Sequence, residues 1–157
     1  MTLGNFGQSK AVGLKVVDAR PSNIIARWTG RFSFRKFTVS PDSDLTDTMR
    51  RKVSEGLSRT GFHPKRIEKE STRTLRVEIL RLKSVYREKL PTLDVRTEVL
   101  MRAHCNNREN RYSATYADRK RLNSVPPSTF PNERLINDTL SEVLRTMFSD
   151  KKLLSCL

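Results

Sequence analysis

The sequence predicts an α+β fold: a two-layer sandwich in which two amphipathic helices cover one face of a mainly antiparallel sheet of about four to five strands. Three observations predict it. Apolar residues alternate with polar ones in several segments, and they recur every three or four positions in two others. The segments also follow the order strand, helix, three strands, helix. A chain of 157 residues suits one domain with its own hydrophobic core.

The amino-terminal part is predicted to be an arm followed by a strand. Residues 1–10 are polar and contain glycine, which is typical of a flexible arm, and residues 11–157 then form the single domain. Residues 24–39 fit either a strand or an extended loop. Pro21 ends the first strand because proline lacks a backbone donor. This strand buries one face through Val12, Leu14 and Val16.

The first helix has clear start and stop signals. Ser43 or Asp44 can cap its first turn, where the helix dipole also favours the carboxylate of Asp47. Gly61 suits the left-handed residue that ends a helix, and Phe62 then folds back onto the last turn. The apolar stripe between these signals consists of Leu45, Met49, Val53 and Leu57.

Three strands are predicted in series after this helix. Apolar residues alternate over residues 75–79, and the change of phase near Leu80 predicts a bulge or the end of the strand. Residues 83–90 are charged and are predicted to be a connection. The alternation over residues 93–105 predicts a long strand, and residues 106–110 form a turn cluster. The next strand alternates through Tyr112, Ala114 and Tyr116.

A second amphipathic helix is predicted near the carboxyl end. Thr129 or Asn132 can cap it, and residues 153–157 follow it as an apolar tail. Hairpin connections between the later strands imply an antiparallel sheet. The sheet face that the helices do not cover is charged, so we expect it to meet water or a partner. The helix's apolar face comprises Leu135, Ile136, Leu140, Val143, Leu144, Met147 and Phe148.

The charge narrows the classes of partner. Lysine and arginine number 31 against 17 acidic residues, which gives a formal net charge of +14 and fits a nucleic acid, an anionic membrane surface or an acidic protein. The basic residues are scattered along the chain, and no RNA-binding, zinc-finger or helix-turn-helix signature accompanies them. The pattern therefore favours a solvated cationic surface over sequence-specific recognition of nucleic acid. The apolar runs are far shorter than the roughly 20 residues of a membrane helix.

The sequence predicts no catalytic residues, no cofactor and no metal site. His63 is expected in an exposed turn and His104 on the polar face of a strand, and nothing brings the two together. Cys105 falls on the buried side of the same strand as His104, so the two face opposite ways. Cys156 could pack, remain free or pair with Cys105. Since phosphate-binding, nucleophile-elbow and metalloprotease motifs are missing too, we expect a protein that is not an enzyme.

Five segments give the chain a resemblance to a known family. They are residues 16–20 (VVDAR), 61–62 (GF), 74–79 (TLRVEI), 111–116 (RYSATY) and above all the helix at 135–150. With these segments the chain resembles the YajG family of small bacterial outer-membrane lipoproteins. The resemblance implies a periplasm-facing domain that a lipidated cysteine tethers to the outer membrane, with no catalytic activity and no cofactor.

Two features depart from that family's pattern. No signal peptide or lipobox cysteine is readable before the first strand, so the start lies downstream, the chain is a mature form, or this member is not lipidated. The high positive charge is the second departure. The leading hypothesis is a non-enzymatic subunit or assembly factor of an envelope complex, such as a secretion-system outer-membrane core, whose partners are other envelope proteins and anionic lipid headgroups. The alternatives are a cytoplasmic basic nucleic-acid-binding module and an enzyme of unrecognised type.

Overall fold

The computed structural model describes residues 6–28, 37–89, 92–125 and 133–157. Seven strands and three helices lie within these described residues. In chain order they are β1 (Ala11–Asp18), β2 (Ala26–Trp28), β3 (Phe37–Val39), α1 (Leu45–Arg59), β4 (His63–Arg66), β5 (Arg73–Lys89), β6 (Thr92–Asn107), β7 (Arg111–Val125), α2 (Glu133–Ser149) and α3 (Lys151–Cys156).

The main sheet has the strand order β4-β1-β5-β6-β7. Strand β1 runs parallel to both of its neighbours, whereas β5, β6 and β7 form an antiparallel meander. The small antiparallel pair β2-β3 covers part of the sequence that fitted either a strand or a loop, and residues 29–36 lie outside the described residues. Helices on one side of a mainly antiparallel sheet confirm the predicted α+β class.

The helix signals in the sequence are confirmed where the structure describes them. Asp44 caps α1 by accepting a hydrogen bond from the Thr46 amide at 2.9 Å. Gly61 adopts φ 88°, and the Phe62 amide returns to the Leu57 carbonyl at 3.0 Å, so the chain reverses where the glycine predicted. The two proposed caps of α2, Thr129 and Asn132, lie outside the described residues.

The predicted connection at residues 83–90 is wrong, because β5 continues to Lys89 and pairs with β6 along its length. Lys83, Arg87 and Lys89 occupy alternate, exposed positions of this strand, while Leu82 and Ser84 are buried and Tyr86 is half-buried. A charge-rich run is therefore compatible with a strand when every second residue is covered. The predicted bulge is confirmed by the register shift between Ile79 and Arg81.

Two further elements differ from the prediction. His63 is exposed as expected, yet it begins the edge strand β4 rather than a turn, and its amide donates to the Lys10 carbonyl at 2.8 Å. Pro64 is tolerated there because an edge strand leaves some amides unpaired. The apolar tail at 153–157 forms most of α3, a third helix that the sequence pattern was too short to reveal.

The start of the described chain packs against the end of α1. Gly7 is buried, its amide donates to the Thr60 carbonyl at 3.0 Å, and the Ser9 amide donates to the Gly61 carbonyl at 2.8 Å. This part of the predicted arm therefore has fixed neighbours, while residues 1–5 lie outside the described residues.

One contiguous core lies between the helices and the sheet. It is built from the alternate, inward side chains of β1, β5 and β6 together with the apolar faces of the helices. Val95 lies in a second, small cluster with Leu135, and the largest fully buried side chains of the main core are Met49, Leu57, Leu75, Ile79, Met101, Met147, Leu153, Val12, Val53, Val77 and Val99.

Candidate docking surface

The three helices share one side of the main sheet, and the described residues place no helix on the other side. We call this second side of β1, β5, β6 and β7 the open face. Every second residue of each strand points toward it, because side chains alternate along a strand. The exposed cationic side chains of the open face are Lys15, Arg76, Arg81, Lys83, Arg87, Lys89, Arg96, Arg102, Arg111, Arg119 and Arg121.

The strand register arranges these side chains in rows across the sheet. Lys83 of β5 lies beside Glu98 of β6, which lies beside Arg119 of β7. One row further along, Arg96 of β6 lies beside Arg121 of β7. Like charges at directly opposed positions destabilise a sheet, so the pairing of Arg96 with Arg121 lowers its stability. Packing does not explain why the two arginines are paired.

The carboxylates of the open face are engaged within the sheet. Glu98 lies between Arg81 and Arg119, at 3.0 and 3.1 Å from its Oε1 atom. Burial would raise the pKa of Glu98, but the hydrogen bonds and charges of the two guanidinium groups outweigh it and hold the pKa below its ordinary value. Asp94 is buried and accepts from Arg121 at 3.0 Å. These acids therefore stabilise the sheet rather than face a partner.

Glu78 is the third such carboxylate. Its Oε2 atom lies 3.2 Å from Nε2 of His104, and Arg76 lies 2.9 Å from its Oε1 atom. The hydrogen bond to His104 is the largest cause that lowers the pKa of Glu78. The other ring nitrogen of His104 lies 2.8 Å from the Ser113 hydroxyl, so this histidine is held between three strands.

The residues considered for catalysis are not brought together. His104 lies on the open face as predicted, whereas His63 lies on β4, with β1 and β5 between the two histidines. Cys105 is buried on the helix side, as predicted, and it forms a disulfide with Cys156, which is one of the three states left open for that residue. Among the described residues, no three His, Cys, Asp or Glu side chains cluster as metal ligands.

Part of the open face could not be found from the sequence. Arg81, Lys83 and Arg87 belong to it only because β5 continues past the bulge. The sequence signal for this continuation was that Leu82, Ser84 and Tyr86 alternate with those charged residues. Because serine and tyrosine are polar, the alternation did not stand out as the apolar pattern of a strand.

On the helix side, a polar cluster anchors the junction of α2 and α3. The hydroxyls of Tyr112 and Tyr116 both donate to Oδ2 of Asp150, at 2.9 and 2.6 Å. The other carboxylate oxygen caps α3 by accepting from the amides of Lys152 and Leu153, at 2.9 and 3.4 Å. Two tyrosines that the sequence placed on one face of a strand thus hold the carboxyl-terminal helix on β7.

Replacing Asp150 by asparagine should flatten the acid limb of the stability curve. Burial would raise the pKa of Asp150, but hydrogen bonds from Tyr116, Tyr112 and two amides outweigh it, so the folded pKa lies below its ordinary value. Because the pKa of Asp150 is lower in the folded chain, its carboxylate contributes stability that is complete above the pKa of the unfolded chain, about 4. This stability is lost as the pH falls through the pKa of the folded chain. We expect Asp150→Asn to cost about 1–3 kcal/mol at pH 7 and less at pH 3.

Urea unfolding of both proteins at several pH values between 3 and 7 measures this difference. Asp138→Asn on the exposed side of α2 is the matched control, and it should change the curve little. A constant gap between wild type and Asp150→Asn over the whole range would show that the carboxylate charge is not what anchors α3.

No helix among the described residues is both long and apolar enough to span a lipid bilayer.

The model of a family described as uncharacterized lipoprotein matches residues 2–157 of the chain. No curated protein matches the sequence.

Similar folds occur among solved structures. A Xanthomonas campestris protein has a TM-score of 0.58 at 13% identity, with 95% of this chain and 87% of that chain covered. A Chlamydia trachomatis protein has a TM-score of 0.53 at 11% identity, with 94% and 98% covered. A Neisseria meningitidis lipoprotein has a TM-score of 0.50 at 12% identity, with 90% and 99% covered. At these identities the likeness shows the fold alone.

Proposed function

This chain belongs to the uncharacterized lipoprotein family, and we propose on that basis that it is a non-enzymatic domain of the bacterial cell envelope. Its task is to dock, through the open face, onto other envelope proteins as a structural subunit or assembly factor. The resemblance to the YajG group supports the finer proposal of a periplasm-facing domain at the outer membrane. A secretion-system core is one complex of that kind.

The open face is the observation that carries this proposal. It presents eleven exposed cationic side chains, of which five are paired within the sheet with the carboxylates Glu78, Glu98 and Asp94 and six are not. Uncompensated like charges repel one another and oppose folding, so a surface of this kind is stabilised when an acidic partner covers it. An acidic face of another envelope protein is the partner that this charge fits.

Reversing two central charges of the open face tests the proposal. Arg96 and Arg102 lie on β6, between β5 and β7, are exposed, and form no ion pair within the described parts of the chain. We expect wild-type protein, extracted from native envelopes in mild detergent, to migrate in a complex larger than the monomer. The Arg96→Glu/Arg102→Glu protein should migrate as the monomer, because the same acids that attract arginine repel glutamate.

The matched control carries the same charge change on the helix side. Arg51 of α1 and Lys151 of α3 are exposed there, and the Arg51→Glu/Lys151→Glu protein should stay in the complex. Loss of the complex in both double variants would point to overall charge rather than to the open face. A wild-type protein that always migrates alone would overturn the proposal.

A cytoplasmic nucleic-acid-binding module is the second candidate, because the same eleven cations fit a polyanion. That function predicts binding to DNA or RNA that weakens steeply with salt, with a slope that reports the number of phosphates contacted. Gel-shift titrations at salt concentrations from about 50 to about 200 mM, a range in which such a slope is evident, separate the two candidates. Submicromolar binding at the lower salt that weakens steeply toward the higher salt, together with cytoplasmic fractionation, would favour this second function.

A further inference from the structure

A recess opens where β1 ends and the chain passes along β5. The Ala19 amide donates to the Ile79 carbonyl at 3.0 Å, and the Ser84 amide donates to the Ile25 carbonyl at 2.9 Å. Between these two attachments, residues 20–27 and residues 80–86 enclose a recess of about 740 Å³. The pairing of β1 with β5 stops at Ile79, and this is why the recess exists.

The described lining of the recess is cationic. Arg20, Arg27, Arg81 and Lys83 contribute to it, and no described lining residue is acidic. Arg27 and Lys83 are exposed, while Arg81 shares its charge with Glu98 at 3.0 Å. Four cationic side chains around one concave site, without a carboxylate among them, favour an anion there.

Arg20 gives the recess a built donor. Its side chain is only 3% exposed, and its Nε and Nη2 atoms donate to the carboxylate of Asp18 at 2.8 and 2.7 Å. This hydrogen-bonded pair lowers the pKa of Asp18. The remaining Nη1 atom is buried and has no hydrogen-bond partner among the described residues. A buried donor left unpaired costs free energy, and such a group calls for a partner that the described part of the chain does not supply.

We propose that the recess binds the phosphate group of an anionic ligand, a monoester or a diester. The guanidinium group of arginine can donate two parallel hydrogen bonds to phosphate oxygens, and the lysine ammonium adds a point charge. Arg27 and Lys83, the two exposed cations of the lining, can reach the ligand. Val85, which is 50% exposed, lies at the lining beside these cations and offers an apolar surface to the body of a phosphate ester. The proposal concerns the isolated domain and does not depend on which protein docks on the open face.

Titration of the folded protein with inorganic phosphate and with glycerol phosphate, followed by calorimetry, tests binding at the recess. We expect saturable binding that the Arg27→Ala/Lys83→Ala variant weakens about tenfold or more, since it removes two charge-assisted contacts. The matched control is Arg51→Ala/Lys151→Ala, which removes two exposed cations on the helix side, outside the lining of the recess, and should bind as wild type does. Arg20→Lys is a second variant, and it should weaken binding while keeping a charge beside Asp18.

Vesicles distinguish the source of the phosphate. If the ligand is a lipid headgroup, vesicles of phosphatidylglycerol in phosphatidylcholine should bind wild type and the control, and should bind the recess variant about tenfold more weakly. If the ligand is a soluble ester, only the calorimetric titration should separate the two variants. Equal behaviour of recess and control variants in both arms would overturn the proposal. Because complex formation in native envelopes is measured separately, this failure would leave the docking proposal untouched.

Discussion

Replacing Cys156 by alanine is expected to lower the free energy of unfolding by about 4 kcal/mol. The disulfide with Cys105 joins α3 to β6 across 51 residues, and a cross-link of that span removes roughly this much loop entropy from the unfolded chain. The side chain of Cys156 is also buried, so its loss leaves a small defect beneath α3. Denaturant unfolding of wild type and variant measures the difference.

Two comparisons make this result specific to the cross-link. The double variant Cys105→Ala/Cys156→Ala should be at most about 1 kcal/mol less stable than either single variant, because all three variants lose the same cross-link. The exposed neighbour Ser155→Ala should change stability by about 0.5 kcal/mol or less. A loss below about 1 kcal/mol for Cys156→Ala would mean that Asp150 and the apolar contacts of α3 hold the carboxyl terminus without the disulfide.

Gly56→Ala is expected to destabilise the fold by about 1–3 kcal/mol, although alanine is the better helix former. Gly56 lies in α1, and a β-carbon at this position would overlap the ring of Phe148 in α2. Phe148 is 6% exposed, so its ring has little room to move away. The glycine therefore lets the two helices approach each other, at a cost in helix propensity of about 1 kcal/mol.

A double-mutant cycle shows whether the overlap is the cause. In a Phe148→Leu background the smaller side chain frees the space, so Gly56→Ala should become neutral or stabilising there. Ser58→Ala, on the exposed side of α1, is the control and should be neutral or slightly stabilising. If Gly56→Ala is harmless with Phe148 in place, the close approach of α1 and α2 is not a constraint on stability.

Sequence signals predicted the elements that depend on interactions between residues close together in the chain. The cap at Asp44, the left-handed Gly61 and the returning Phe62 are contained within a few residues of α1, and the structure confirms them. The bulge near Leu80 was equally visible as a change of apolar phase. The lipoprotein character that the resemblance implied agrees with the family match, whereas membership of the YajG family itself stays a prediction.

Long-range pairing decided what the sequence did not show. The place of β1 between β4 and β5 follows from contacts between residues some 50 to 60 positions apart in the chain, which no local pattern encodes. The second half of β5 became a strand only because β6 pairs with it. Pairing of Cys105 with Cys156 depended on α3, and a single short helix has no stable local signal.

The same distinction between local signals and long-range pairing applies to the open face. The sequence predicted a charged sheet face opposite the helices, from the alternation in β6 and β7. Its extent, and the recess beside it, required the continuation of β5 and the passage of residues 20–27 along it. The unpaired Nη1 of Arg20 is visible only in three dimensions.

Photo-crosslinking in native cells tests the central claim most directly. A photoreactive amino acid at Thr115, which lies beside Arg102 on the open face, is compared with one at Ser141 on the exposed side of α2. Docking through the open face predicts covalent adducts with other envelope proteins from position 115 and none from position 141. Adducts from position 141 with none from position 115 would contradict it.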